Sequence, residues 1–169
     1  MPSVEMVLTL GSALLHEIGH LTAARLTHVP IAAVTVYPFG ADIRLAPGLR
    51  SYRTDALIAL AGAAANLLLA GVGALIGGAA GLFLTPCNLT LAGLNLLPID
   101  GLDGGVLLRT CLESQGMESD GVARIVSFCC LLALWLGAVY VLWIEDGDPS
   151  FFVLSCGLFA VLFLGGEKT

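Results

Sequence analysis

Charge is scarce in this sequence. Only 12% of its 169 residues are charged and 57% are hydrophobic, whereas ordinary soluble domains carry about 25% charged residues. So few charges cannot cover the surface of a water-soluble globule, and disorder requires the opposite composition. Basic residues are the scarcer kind, seven against 13 acidic ones, and the net charge of −6 argues against nucleic-acid binding. The composition therefore predicts an integral membrane protein.

Cysteine pairs with the spacing of a metal or redox motif are also missing. The five cysteines are scattered in or beside apolar runs, and none forms a C-x-x-C motif. An odd number of dispersed thiols is poor material for a disulfide framework. We interpret them as small packing residues. They are Cys87, Cys111, Cys129, Cys130 and Cys156.

Long apolar segments fill most of the chain. About 20 apolar residues cross a bilayer, and five segments approach that length, the last of them short. They run over about 4–26, 54–81, 82–112, 122–144 and 151–164. The third is interrupted by Pro86, Asn88, Asn95 and Pro98, and resumes as a helix over 102–112. Such a break survives at membrane depth only where protein or water satisfies the freed backbone groups.

Between the first two apolar segments the sequence changes character. Two short β-type runs flank Pro38-Phe39-Gly40, which predicts a hairpin-like excursion at the membrane surface. The expected fold is therefore an all-α polytopic membrane protein. It has about five transmembrane helices, the third broken, and a small membrane-associated β-hairpin after the first. Gly73, Gly77 and Gly81 recur every four residues and predict close helix packing in lipid.

The basic residues predict an orientation for five crossings. All seven fall on one side, and the other side carries Glu5 and the acidic turn 145–148. The positive-inside rule then places the amino terminus outside and the 28–53 and 109–124 loops in the cytoplasm of a bacterial-type cell. The basic residues are Arg25, Arg44, Arg50, Arg53, Arg109, Arg124 and Lys168.

The first apolar segment contains the sequence His16-Glu17-Ile18-Gly19-His20. In this H-E-x-x-H pattern both histidines lie on one face of a helix and can bind one metal ion, while the glutamate can take a proton from water. Three ionisable groups within one turn of an apolar helix each cost several kcal/mol, in order of magnitude, unless they have partners. The pattern therefore predicts a metal site with Glu17 as general base.

A catalytic zinc site needs a third protein ligand. The metzincin extension of the motif is absent, because Ala23 and Leu26 stand where Gly and His would be required. The distant candidates are Asp100 and Asp103, and Asp103 precedes a Gly-Gly pair that lets backbone approach a site closely. We take Asp103 as the third ligand and assign Asp100 no role.

Together, H-E-x-x-H and the N-x-x-P-x-x-x-L-D-G-G sequence of residues 95–105 resemble the site-2 protease family of intramembrane zinc metalloproteases. Residues 62–66 also match the G-x-x-x-N motif of that family. The resemblance covers roughly residues 4–112. Because residues 1–169 contain no PDZ or CBS segment, it is closest to the compact branch that includes the stage IV sporulation proteases of FB type.

The resemblance implies a single membrane-embedded protease domain over 1–169, with its catalytic core in 4–112 and two additional helices in 122–166. It implies that one zinc ion is bound by His16, His20 and Asp103, and that Glu17 is the general base. It also implies that Asn66 and Asn95 bind the substrate strand, although either asparagine could instead form hydrogen bonds between helices.

The activity implied is that of a metalloendopeptidase acting in regulated intramembrane proteolysis. Its partners would be the lipid bilayer and a membrane-tethered protein such as a transcription-factor precursor, with a site that opens toward the cytoplasm. Whether a membrane regulator protein holds the site closed stays open. The alternative is a zinc-binding transporter, since intramembrane His and Asp can line an ion path. A catalytically inactive relative is a third reading.

Overall fold

The structure is a computed structural model that describes residues 3–37, 40–46, 48, 51–145, 153, 156 and 157. The chain forms two compact units, Met1–Leu97 and Pro98–Thr169. The first unit contains α1 (Val4–Leu26), β1 (Ile31–Tyr37), β2 (Gly40–Leu45), α2 (Tyr52–Ile76) and α3 (Gly78–Asn95). The second contains α4 (Asp103–Ser114) and α5 (Ser119–Glu145).

Helix α1 coincides with the first predicted apolar segment. The Ser3 hydroxyl accepts a hydrogen bond from the Met6 amide at 3.2 Å and caps the amino end of the helix. At the other end His28 takes a positive φ of 56°, and the chain leaves the helix axis there. Buried positions follow one stripe of α1 at Ser12, His16, His20 and Ala24, so the serine and the two histidines face the interior of the first unit.

Strands β1 and β2 pair antiparallel, from Tyr37 opposite Gly40 to Ile31 opposite Leu45, with an irregularity between Ile31 and Ala33. Pro38 and Phe39 of the predicted hairpin lie outside the described residues. Ile31 and Leu45 pack against a small core of Ala24, Val29 and Ile58. The base of the strand pair is thereby attached to α1 and α2, and its association with a membrane stays a prediction.

The second predicted segment, 54–81, is not one helix. Helix α2 ends at Ile76, because Gly77 and Gly78 both adopt positive φ values, 65° and 62°, that other residues rarely take. Helix α3 then returns along α2 at close range: a Cβ on Gly73 would lie 2.8 Å from the Thr85 hydroxyl oxygen. Of the three glycines expected to promote packing, Gly73 and Gly81 lie at this approach and Gly77 lies in the turn.

Two helices in the described part of the chain are long and apolar enough to cross a membrane, Tyr52–Ile76 and the Ser119–Trp143 part of α5. Of the predicted interruptions of the third segment, Asn95 and Pro98 do mark a break, since α3 ends at Asn95 and the next helix begins at Asp103. Pro86 and Asn88 do not, because both lie inside the continuous helix α3. Most of the fifth predicted segment, 151–164, lies outside the described residues. Five crossings therefore stay a prediction.

Candidate metal centre

His16 and His20 occupy successive turns of α1 and are both buried, at 5% and 9% exposure. Their rings meet edge to face, with centroids 4.7 Å apart and an interplanar angle of 83°. The two Nε2 atoms lie 3.1 Å from each other. The i, i+4 spacing of the motif thus brings two imidazole nitrogens to one point inside the first unit.

In each histidine, the hydrogen-bond partner of Nδ1 determines which ring nitrogen carries the proton. His20 Nδ1 lies 2.7 Å from the backbone oxygen of Ile58 on α2. A carbonyl oxygen can only accept a hydrogen bond, so Nδ1 of the neutral ring carries the proton and Nε2 is the acceptor nitrogen. The position of Ile58 therefore fixes the tautomer that a metal ion bound at Nε2 requires.

His16 is held in the same tautomer by a side chain. Its Nδ1 lies 2.6 Å from Asn66 Oδ1, and Asn66 is fully buried on α2. The Asn66 amide nitrogen donates to the Ser12 carbonyl at 3.3 Å and to Asn88 Oδ1 at 2.8 Å. Because the nitrogen faces those acceptors, the oxygen faces His16, and Nδ1 of His16 is the donor.

This arrangement fits a zinc ion. Two acceptor nitrogens 3.1 Å apart repel each other unless a cation lies beside both. Zinc–nitrogen bonds of 2.0–2.1 Å in tetrahedral geometry separate two such nitrogens by roughly 3.3 Å, close to the observed distance. Gly62 on α2 keeps this space open, because a Cβ there would collide with the Nε2 atoms of both histidines.

The G-x-x-x-N motif thereby acquires a physical meaning. Gly62 provides space beside the imidazole nitrogens, and Asn66, one turn later, provides the acceptor for His16. Gly19, inside the H-E-x-x-H motif, serves the same contact from α1: a Cβ there would lie 2.6 Å from the Ala61 carbonyl oxygen. Helices α1 and α2 can approach this closely only with glycine at both positions.

A cavity of about 150 Å³ opens beside His16. It brings together four of the residues singled out from the sequence. Its lining consists of Ala13, His16, Glu17, Asn66, Leu91 and Asn95. Asn95 donates its amide hydrogen to the Leu91 carbonyl, one turn earlier on α3, at 3.0 Å. The cavity is large enough for several water molecules and places Glu17 where it can exchange protons with them.

In the second unit, Asp103 is the first residue of α4 and is followed by the buried pair Gly104 and Gly105. A Cβ on Gly105 would collide with the Ile99 carbonyl oxygen. Glycine at position 105 is therefore needed for the preceding loop to fold back on the start of α4. Metal ligation by Asp103 stays a prediction.

Asp100, the other acidic candidate, has an ionic partner. Its two carboxylate oxygens accept hydrogen bonds from Arg109 Nε and Nη2, both at 3.0 Å, and Arg109 Nη1 reaches Asp120. The hydrogen bond to Asp100 is the main cause that raises the pKa of Arg109, so the guanidinium stays charged. Through this bidentate ion pair with Arg109, Asp100 anchors the loop before α4.

Asn88 is the residue of this region that sequence reasoning missed. It was noted only as an interruption of an apolar segment, yet it is fully buried and hydrogen bonded to Asn66 and Ser12. Its signal was present in the sequence. An amide inside an apolar helix is costly unless it has a partner, an argument that applies to Asn88 as it does to Asn66.

Comparison with known proteins finds similarity to metallopeptidases. Residues 5–81 match the model of Peptidase family M50. The chain is 33% identical over 147 residues to the putative zinc metalloprotease Rip3 of Mycobacterium tuberculosis, in strains Erdman and H37Rv. That alignment covers 78% of this chain and 37% of the relative, so the chain spans well under half the length of the relatives it matches.

Among solved structures, the fold is similar to that of the site-2 protease from Methanocaldococcus jannaschii. The TM-score is 0.74 at 20% identity, and the match covers 97% of this chain and 78% of the other. Members of that family are zinc metalloproteases embedded in membranes. The membrane embedding agrees with the two apolar helices described above. The family model over residues 5–81, the relatives and the fold all show similarity to proteases of one kind: Peptidase family M50, a putative zinc metalloprotease and a site-2 protease.

Proposed function

We propose that this chain is an intramembrane metalloendopeptidase that hydrolyses a peptide bond of a membrane-tethered protein. The observation that carries the proposal is the pair of Nε2 atoms 3.1 Å apart, with each Nδ1 next to an oxygen acceptor, beside a cavity lined by Glu17. His16 and His20 would bind one zinc ion, and Asp103 would supply the third ligand. Zinc bound there supplies a Lewis acid that makes water more acidic and polarises a carbonyl.

Glu17 performs the proton transfers. Its carboxylate accepts a proton from the attacking water as the water oxygen bonds to the peptide carbonyl carbon. The same carboxyl group then donates that proton to the amine nitrogen as the carbon–nitrogen bond breaks. The balance is one water consumed and two peptide ends produced.

The substrate reaches the site as an extended strand, because a helix hides its carbonyls in its own hydrogen bonds. Asn95 lines the cavity, which supports a role for it in binding such a strand. Asn66, also on the cavity lining, has its amide engaged with His16, Ser12 and Asn88. Asn95 is therefore the better placed of the two predicted substrate-binding residues.

The substrate class that we propose is a membrane-tethered transcription-factor precursor, cut from the cytoplasmic side. The orientation rests on the seven basic residues assigned to one side of the membrane. The amino terminus would lie outside, and the loops 28–53 and 109–124 in the cytoplasm.

The first test compares Glu17→Gln with the parent chain in cells that express candidate membrane-tethered precursors. We expect bound zinc to be retained and cleavage to fall by about 10²–10⁴-fold, the usual contribution of a general base. The matched control is Glu5→Gln, the same change at an exposed position of α1, which should cleave like the parent. Cleavage unaffected by Glu17→Gln would contradict the assignment of the base. Zinc flux into vesicles without cleavage by the parent would favour the transporter.

A further inference from the structure

A chain of buried side chains runs from α3 to His16. Asn88 donates its amide hydrogens to the Leu84 carbonyl and to the Ser12 hydroxyl oxygen, both at 3.0 Å. Its own oxygen accepts from Asn66, which in turn accepts from His16. Asn66 and Asn88 are fully buried and Ser12 is 2% exposed. Three helices therefore share one uncharged hydrogen-bond network that ends at a metal-binding imidazole.

The direction of every hydrogen bond in this network follows from the two backbone carbonyls that it contacts, those of Leu84 and Ser12. The Leu84 carbonyl can only accept, so the nitrogen of the Asn88 amide faces it and the oxygen faces Asn66. Asn66 must then present its nitrogen to Asn88, as it also does to the Ser12 carbonyl. The Asn66 oxygen is left for His16, and Nδ1 of His16 must donate.

The two histidines differ in how firmly this tautomer is held. The acceptor for His20 is a helix carbonyl of Ile58, which cannot exchange with a donor. The acceptor for His16 is an amide side chain, and a half-turn of that amide would present a donor instead. His16 would then carry its proton on Nε2, where it cannot bind a metal ion. The turned amide would also face two acceptors, the Ser12 carbonyl and Asn88 Oδ1.

We propose that Asn88 is a positioning residue of the metal centre. By accepting from Asn66, it keeps the Asn66 oxygen toward His16 and so keeps Nε2 of His16 in the metal-binding form. This inference rests on the proposed ligation by His16. It adds a function for α3, which carries none of the three proposed ligands.

The test measures the tautomer directly, in the full chain labelled with ¹⁵N-histidine and freed of metal at alkaline pH. The chain has three histidines, and ¹⁵N shifts separate the Nδ1–H from the Nε2–H form of each. In the parent, His16 and His20 should both be Nδ1–H. In Asn88→Leu, His16 should become a mixture of the two forms while His20 is unchanged. Asn88→Ala is the second variant, and it should shift His16 in the same direction.

Thr85→Val is the matched control. Thr85 also lies on α3 and donates to an α2 carbonyl, that of Ala70, at 3.2 Å, but it is outside the chain that leads to His16. The control should leave both tautomers as in the parent. Cobalt and zinc affinity gives a second readout: we expect a loss of about 10-fold in Asn88→Leu, the lower end for residues that orient a ligand, and none in Thr85→Val.

Three results would overturn the proposal: an Nε2–H form of His16 in the parent, an unchanged His16 in a folded Asn88 variant, or a His20 change as large as that of His16. The last would show general loosening of the unit. Neither substrate nor hydrolysis enters the measurement. A failure of the protease assay therefore leaves this result intact, and a failure here leaves the assignment of Glu17 intact.

Discussion

Two polar clusters, one in each unit of the chain, satisfy their side chains in opposite ways. In the first unit, Asn66 and Asn88 are fully buried and uncharged, and hydrogen bonds connect them to His16. In the second unit, Arg109 and Asp100 are charged and their side chains are 35% and 25% exposed. A neutral amide can be buried as long as it has hydrogen-bond partners, whereas a buried ion also loses the free energy of its hydration by water. The buried network therefore holds the orientation of the His16 ring, whereas the partly exposed ion pair anchors a loop.

The largest expected effect comes from filling the space beside the histidines in the first unit. Gly62→Ala places a methyl group against both Nε2 atoms, so zinc affinity should fall by about 100-fold, the upper end for changes that disturb ligand orientation. Gly71→Ala is the matched control. Gly71 lies on the same helix, and a Cβ there would meet no other atom within 4 Å. Competition with a zinc chelator measures both. Equal affinities would show that the space beside Nε2 is not where the ion binds.

Removing the Asn66 amide, which links His16 to Asn88, should have the next largest effect. In Asn66→Leu, Nδ1 of His16 and Oδ1 of Asn88 both lose their hydrogen-bond partner. Each buried polar group left without a partner lowers the free energy of unfolding by about 1–3 kcal/mol. We expect thermal stability to fall and zinc affinity to drop between about 10-fold and 100-fold. Unchanged affinity in a destabilised protein would separate the network from the metal centre.

The smallest effect is expected in the second unit. Arg109→Gln removes the ion pair with Asp100 and the contact to Asp120, yet partly exposed pairs contribute only about 0–1 kcal/mol. The melting temperature should change little more than in Arg124→Gln, a change at an exposed position of α5. The tautomers of His16 and His20 should match the parent. A tautomer shift here would break the contrast drawn between the two units.

The sequence was informative where chemistry requires particular residue types. The span of α1, the proximity of His16 to His20 and the break after Asn95 all followed from the residues alone. The end of α2 at Ile76 did not, because an apolar Gly-rich run fits a continuous helix equally well until Gly77 and Gly78 adopt positive φ. The partners of Asp100 and Asn88 also escaped prediction, since both depend on which helices meet in three dimensions.

The turn at Gly77 and Gly78 has a consequence for the order in which the molecule matures. A nascent chain exposes His16 and His20 first, and the carbonyl of Ile58 that orients His20 follows with α2. Asn88 arrives only when the chain has reversed at this turn and α3 has inserted beside α2. Until then the Asn66 amide has the Ser12 carbonyl but lacks its second acceptor, so the network that orients His16 is incomplete. Under the role proposed for Asn88, folding of the α2–α3 hairpin, and not synthesis of the H-E-x-x-H helix alone, completes the hydrogen-bond network around His16.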